Sequence, residues 1–394
     1  MTTTTPLGFK FAVWAAGFKK NDRPDLALLV SAVPAATAAM FTENVFQAAP
    51  VLVGRELVAK GGKFRAVLIN SGQANACTGD EGVLDCRETQ SLVARAAGLR
   101  AEEILPASTG VIGARLKMDI WKQSAPLLVE NLGKNSAEDF ARAIMTTDRF
   151  PKFASEEVLL PGGTIRLCGM AKGAGMICPD MATMLAVLLC DAAIDAPLWK
   201  KLLREAVGLT FNRVSVDGDT STNDTIYALA NGASGVAAGE KEAPALFTAM
   251  KNILAKLAYM LVQDGEGATK VIRIKVQGAK TAQDAERIAR SIGHSPLVKT
   301  AMFGQDANWG RIVCALGYSK AAFNPATATL KICGIEVFRN RRPTLIDDDP
   351  ALNAALRERD IGIDLSLDDG SATYELLASD LTHDYVTLNG DYRS

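Results

Sequence analysis

The chain has 394 residues, 48% hydrophobic and 22% charged, with a formal net charge of −1. That is enough for two domains or one large layered one, and the balanced charge gives no electrostatic case for nucleic acid or an anionic membrane. No apolar run reaches about 18 residues, and the N-terminal Met-Thr-Thr-Thr-Thr-Pro lacks the basic and apolar regions of a signal peptide, so a cytoplasmic address is expected.

Phe64–Asn70 reads as a buried strand running into a small-residue loop, Ser71-Gly-Gln-Ala-Asn-Ala-Cys-Thr-Gly79. Glu81 to Ala97 has helical spacing, and Ile104-Leu-Pro leads to a second turn, Ser108-Thr109-Gly110-Val-Ile-Gly113. Helices are predicted from Met118 to Leu132 and over Ala137–Met145. Thr164–Cys168 alternates as a strand and feeds Lys172-Gly-Ala-Gly-Met-Ile-Cys-Pro-Asp-Met-Ala-Thr183, after which Met184–Cys190 reads as a buried strand. Ala196–Leu209, with Pro197 near its start, is helical, and Pro244 opens a longer helix. In that helix Leu246, Met250, Leu254, Leu257 and Leu261 recur at three- and four-residue steps, so they are core. Val271–Val276, a hairpin over Thr329–Val337 around Gly334, Ile363–Leu367, Ala372–Leu377 and Tyr385–Leu388 are predicted strands, and Ala282–Ile292 is a predicted helix. The alternation is too irregular for a barrel or a doubly wound sheet, so the fold class is mixed α+β with a break near the middle.

The seven cysteines are scattered without a C-x-x-C pair, and only two histidines exist, His294 and His383. A disulfide framework, a zinc site and a histidine-rich metal centre are all disfavoured, and no metal site is expected. Acyl chemistry would then take its base from an amine, a carboxylate or a lysine. Thr183 follows Ala182 directly before a buried strand. From such a place a threonine can attack the preceding carbonyl, and cleavage there frees its α-amine to serve as its own base. A β-branched residue that merely fits a strand has the same signature, and the residues alone leave both readings open.

Ser108-Thr109-Gly110 offers closely spaced N–H groups and hydroxyls, the elements of an oxyanion hole or of an ordinary turn. Val216-Asp217-Gly-Asp219-Thr-Ser-Thr-Asn-Asp224 is rich in oxygen ligands but has Thr222 and Ala228 where a calcium loop needs glycine and glutamate, so it reads as a hydrogen-bonded polar loop. Asp264-Gly-Glu266-Gly-Ala-Thr-Lys270 lacks phosphate-loop spacing and better suits holding a substrate ammonium. Ser295-Pro-Leu-Val-Lys-Thr-Ala and Asp306-Ala-Asn-Trp-Gly-Arg311 form a further polar cluster without an assigned role.

Together these segments resemble the ornithine acetyltransferase (glutamate N-acetyltransferase) family of arginine biosynthesis. The resemblance is carried by Asn70 to Gly79, Ala107-Ser-Thr-Gly-Val-Ile-Gly113, Met145-Thr-Thr-Asp148 and Met170-Ala-Lys-Gly-Ala-Gly-Met176 with Pro179-Asp-Met-Ala-Thr-Met-Leu185. It continues through Val216 to Asp224, Asp264-Gly-Glu-Gly-Ala268 and the C-terminal Asn389-Gly-Asp-Tyr-Arg-Ser394, in the family's order.

The resemblance implies a precursor that cuts itself between Ala182 and Thr183 into an α chain (1–182) and a β chain (183–394), assembled as α2β2. It implies a layered α/β sandwich reminiscent of N-terminal-nucleophile hydrolases but with its own topology. It also implies ping-pong transfer of acetyl from N-acetylornithine to glutamate, with no cofactor. Thr183 falls on the nucleophile and Thr109 and Gly110 on the oxyanion pair. Thr146 (with adjacent Thr147 as the alternative), Lys172, Glu266 and Asn389 fall on substrate contacts, with Ser394 in place of the usual terminal threonine. Asp180 replaces a common asparagine three residues before the scissile bond, which puts the cleavage rate in question. Acetyl-CoA is left open as a second donor, since the sequence has no recognisable CoA phosphate motif. An amidase or aminopeptidase on the same scaffold, a secondary-metabolism acetyltransferase and an unprocessed amino-acid-binding protein are the rival readings.

Overall fold

The computed structural model describes residues 4–178, 184–345 and 349–391. The described residues pack as two compact units, one formed by residues up to Asn212 together with Asp219–Leu261, the other by Arg213–Gly218 and residues 262–391. This division concerns packing, whereas the expected 182/183 boundary concerns one peptide bond.

The first unit is built on an eight-stranded mixed sheet. Its long strand Leu26–Phe41 shows why the sheet is covered on both faces. Successive side chains point to opposite sides. Ala27 and Leu29 join a cluster with Phe140, Val51 and Leu57, while Leu26, Leu28 and Val30 join another with Trp121 and Val93. Helices Ala49–Ala59 and Ala137–Ala143 supply the first layer, and Gly79–Ala97 and Met118–Glu130 the second. The layered α/β expectation is met. Strand Gly163–Lys172, antiparallel to Leu185–Cys190, is seated by helix Ala243–Gln263. A Cβ on Gly169 would lie 2.7 Å from Ile253 and 2.8 Å from Leu257, so the two elements touch backbone to side chain. That helix is long and apolar enough to cross a membrane. Its Leu246, Met250, Leu254, Leu257 and Leu261 are all fully buried within the protein, as their spacing predicts for a core helix.

The second unit carries a seven-stranded sheet with one covered face. On strand Val271–Ala279, Ile272, Ile274 and Val276 enter a core with Ile363, Leu365, Leu376 and the helices Ala282–Gly293, Pro296–Phe303 and Trp309–Gly317. The alternate residue Arg273 instead pairs with Glu375 across the strands on the other face. The hairpin around Gly334 forms as predicted, with Cys333 and Gly334 both at positive φ (50° and 81°), the backbone that a tight two-residue turn demands.

One expectation fails. Tyr385–Leu388 is not a strand but lies inside helix His383–Asp391. Four apolar-alternating residues do not distinguish the two states. Local bonds decide it: Thr387 Oγ1 donates to the His383 carbonyl and Asn389 Nδ2 to the Tyr385 carbonyl, each four residues back, with Asp384 in the first turn.

Candidate functional site

Strands Phe64–Gln73 and Ile104–Val111 run parallel, with Asn70 beside Ser108, Ser71 beside Thr109 and Gly72 beside Gly110. The two small-residue turns read separately from the sequence therefore leave the sheet at one edge. Ser108 Oγ donates to Asn70 Oδ1 at 2.6 Å, and Asn223 Nδ2 donates to the carbonyls of Ala74 (2.6 Å) and Ser108 (2.8 Å). The polar loop ending at Asp224 thus clamps both turns. Gly110 has φ 131°, and a Cβ there would sit 2.3 Å from the carbonyl carbon of Gly72. Only glycine fits so close an approach.

Lys172 ends strand Gly163–Lys172 and is 8% exposed; its Nζ donates to Thr109 Oγ1 at 3.2 Å. Two of the predicted site residues are thereby in contact. Thr146 and the residue after Lys172 are tied to one side chain: Asp148 accepts from the Thr146 N–H at 2.9 Å and the Gly173 N–H at 2.7 Å. Thr147 is half-buried next to Thr146. Asp148 also pairs at 2.7 Å with Lys152, and both side chains are fully buried. Burial opposes ionisation of Asp148, but the Lys152 and Lys172 ammoniums hold its carboxyl well below the usual carboxylate range. Lys19 Nζ donates nearby to the carbonyls of Pro24 (2.9 Å) and Ala143 (2.7 Å). Burial, then Arg23, lowers Lys19 to about 7, with Lys172 adding repulsion and Asp25 and Asp148 opposing it. Lys152 is paired with Asp148, and Lys19 lies beside Asp25 as well, so Lys172 is the cation of this group that meets the Thr109 hydroxyl.

Ala182, Thr183, Asp180 and Ser394 lie outside the described residues. Met184, next in the chain after Thr183, is described and held firmly. Its carbonyl accepts from the Thr225 N–H at 3.0 Å, and its N–H donates to the Asp224 carboxyl. Asp224 is 2% exposed, and its Oδ2 has no hydrogen-bond partner among the described residues. Burial pushes its carboxyl well above the ordinary range, against the opposing Ser221 hydroxyl and Lys172 ammonium.

In the second unit Asn389 Nδ2 donates to Glu266 Oε2 at 2.8 Å across 123 residues of chain, joining two more predicted contacts. The junction is close. A Cβ on Gly267, at φ 68°, would lie 2.5 Å from the Tyr385 nitrogen, and Thr382 Oγ1 donates to the Gly267 carbonyl.

Sequence reasoning assigned no role to Lys19, Lys152, Asp148, Asn223 or Asp224. The last three sit inside motifs that were singled out, so their position was the available signal. Lys19 offered none.

The fold is that of a layered α/β protein in which a buried lysine meets a strand-end hydroxyl beside two small-residue turns. Residues 10–394 match the ArgJ family. A relative from Nitratidesulfovibrio vulgaris, named arginine biosynthesis bifunctional protein ArgJ, is 59% identical over 392 residues that span 100% of both chains. One of the same name from Geobacter sulfurreducens is 45% identical, covering 98% of this chain and 99% of the relative. The crystal structure of arginine biosynthesis bifunctional protein ArgJ from Bacillus halodurans superposes with a TM-score of 0.51 and 38% identity, over 53% of this chain and 100% of that one. The chain belongs to the ArgJ family.

Proposed function

We propose that this chain is an acyltransferase of arginine biosynthesis that moves acetyl from N-acetylornithine to glutamate, after cutting itself between Ala182 and Thr183. Family membership across the full chain supports the activity, and the contact of Lys172 with Thr109 is the observation that carries the site assignment.

In this reading the freed α-amine of Thr183 takes the proton from its own hydroxyl, and the Oγ attacks the acetyl carbonyl. An α-amine titrates near pH 8, so a useful fraction is neutral at working pH. Charge develops on the carbonyl oxygen, where Thr109 and Gly110 supply donors. Ornithine leaves with the proton, and glutamate's amine then takes the acetyl group from threonine. Acetyl itself offers little to grip, so the amino-acid portion is recognised by Thr146, Lys172, Glu266, Asn389 and Ser394. Lys172 suits the substrate carboxylate and Glu266 the ammonium. No cofactor takes part, the α and β chains assemble as α2β2, and the enzyme works in the cytoplasm. The relatives' name, bifunctional, supports acetyl-CoA as a second acetyl donor.

Intact masses of the wild type and of Thr183→Ala under denaturing conditions test the reading. Two fragments split at 182/183 in the wild type and one chain in the variant are expected. One unbroken chain in both would end it. Assays with N-acetylornithine or acetyl-CoA, each with glutamate, then separate one donor from two.

A further inference from the structure

In the second unit, helix Ala282–Gly293, the start of helix Pro296–Phe303 and the segment after helix Trp309–Gly317 border a wide-open surface cavity of about 380 Å³. Arg287, Arg290 and Lys320 line it, with His294, Tyr318 and Ser319. These cations come from two distant stretches of chain, so the cluster arises from folding and not from a run of charge. None of the lining residues is acidic. Two carboxylates lie on the same helix: Glu286 pairs with Arg290 Nε at 2.8 Å and so offsets that cation, and Asp284 accepts from Thr281 Oγ1 at 2.6 Å. Arg287 and Lys320 are therefore the cations that carry the site. Burial, reinforced by Arg290 and Lys299, lowers His294 to about 4, so at neutral pH it adds a polar ring without charge.

We propose that this cavity binds the phosphorylated adenosine end of coenzyme A. The Arg287 guanidinium and the Lys320 ammonium are groups of the kind that take phosphate oxygens. Tyr318, 56% exposed, offers a flat aromatic face on which an adenine stacks. The positive end of helix Pro296–Phe303, capped by Ser295 on the Val298 N–H, also borders the cavity. An amino-acid substrate has no phosphate and no base, so this site would serve one donor and not the other. The inference rests on the second-donor reading above. It also explains how that donor is recognised in a sequence without a phosphate-loop motif, because the cationic groups lie on a helix and a remote loop.

The test uses the full protein and two variants of exposed residues, Arg287→Gln/Lys320→Gln and Tyr318→Ala. Binding of adenosine 3′,5′-bisphosphate is followed by titration calorimetry, with inorganic phosphate and adenosine as competitors. The wild type should bind the bisphosphate, and each variant should weaken it about tenfold or more. The KM for acetyl-CoA should rise in parallel while turnover of N-acetylornithine is unchanged. Failure of the wild type to bind, equal binding by the variants, or displacement by inorganic phosphate alone at matched concentration would overturn the site. Bisphosphate binding that the variants lose, in an enzyme without acetyl-CoA turnover, would sustain the site and remove only the second donor.

Discussion

Lys172 donates to the Thr109 hydroxyl at 3.2 Å across 63 residues of chain, in the interior of the first unit. A threonine oxygen that accepts from an ammonium has its own proton directed elsewhere, which is what a donor to a developing oxyanion requires. Thr109→Val keeps the shape and removes both roles. Its kcat with N-acetylornithine should fall about 100-fold or more, as for other oxyanion donors, while Thr109→Ser keeps most of it. Steady-state kinetics decide the matter, and an unchanged kcat in the valine variant would remove Thr109 from the chemistry.

Asp148 and Lys152 form a fully buried pair at 2.7 Å, and Asp148 also orients Thr146 and Gly173. Asp148→Asn leaves the Lys152 ammonium buried without its carboxylate, which should cost about 3–5 kcal/mol. Asp148→Asn/Lys152→Met should lose less than the single variant, because no buried charge is stranded. The sign with pH follows from the depressed carboxyl of Asp148. Its stabilisation is complete above the unfolded value of about 4 and is lost as pH falls toward the folded value. Urea unfolding at several pH values should show the wild type's advantage over Asp148→Asn shrinking below about pH 4. A constant gap would mean that the pair contributes no proton-linked stability.

Much of the fold was legible because its signals are local. The apolar spacing of Leu246 to Leu261 gave a core helix, and Gly334 marked a real turn. The predicted site residues Thr109 with Lys172, and Glu266 with Asn389, prove to be hydrogen-bonded pairs. Their partnerships were invisible beforehand, since each spans a long stretch of chain. Tyr385–Leu388 failed because four residues carry too little periodicity to outweigh side-chain bonds one helical turn away. Lys19 and Lys152 carried no signal in the sequence, because a lysine is most often a surface residue. Only the fold reveals that both donate inside the protein.

Asp224 is a second buried carboxyl with the opposite sign. Burial raises it, so the folded chain keeps a proton that the unfolded chain releases above about pH 4. Between those values stability declines as pH rises, and the decline stops once the folded group also ionises. Asp224→Asn preserves the shape and removes the titration. Its melting temperature relative to wild type should therefore increase from pH 5 to pH 8. Parallel melting curves across that range would mean that Asp224 is not held protonated beside Met184.

Gly110 and Gly208 make a matched pair for the backbone argument. A Cβ on Gly110 would meet the Gly72 carbonyl carbon at 2.3 Å and the Gln73 nitrogen at 2.6 Å, at φ 131°, whereas a Cβ on Gly208 would meet nothing within 4 Å. Neither of the first two atoms can move without parting the strands that position Thr109. Gly110→Ala should destabilise the fold by several kcal/mol, on the order of a core overpacking combined with backbone strain. Gly208→Ala, at the end of helix Ala196–Gly208, should instead be neutral or stabilising by up to about 1 kcal/mol, because it lowers the entropy of the unfolded chain. Denaturation midpoints of the two variants measure this directly. If Gly110→Ala were as stable as wild type, the strands Phe64–Gln73 and Ile104–Val111 would not lie as close in solution as their register requires, and the oxyanion assignment built on that edge would fall with them.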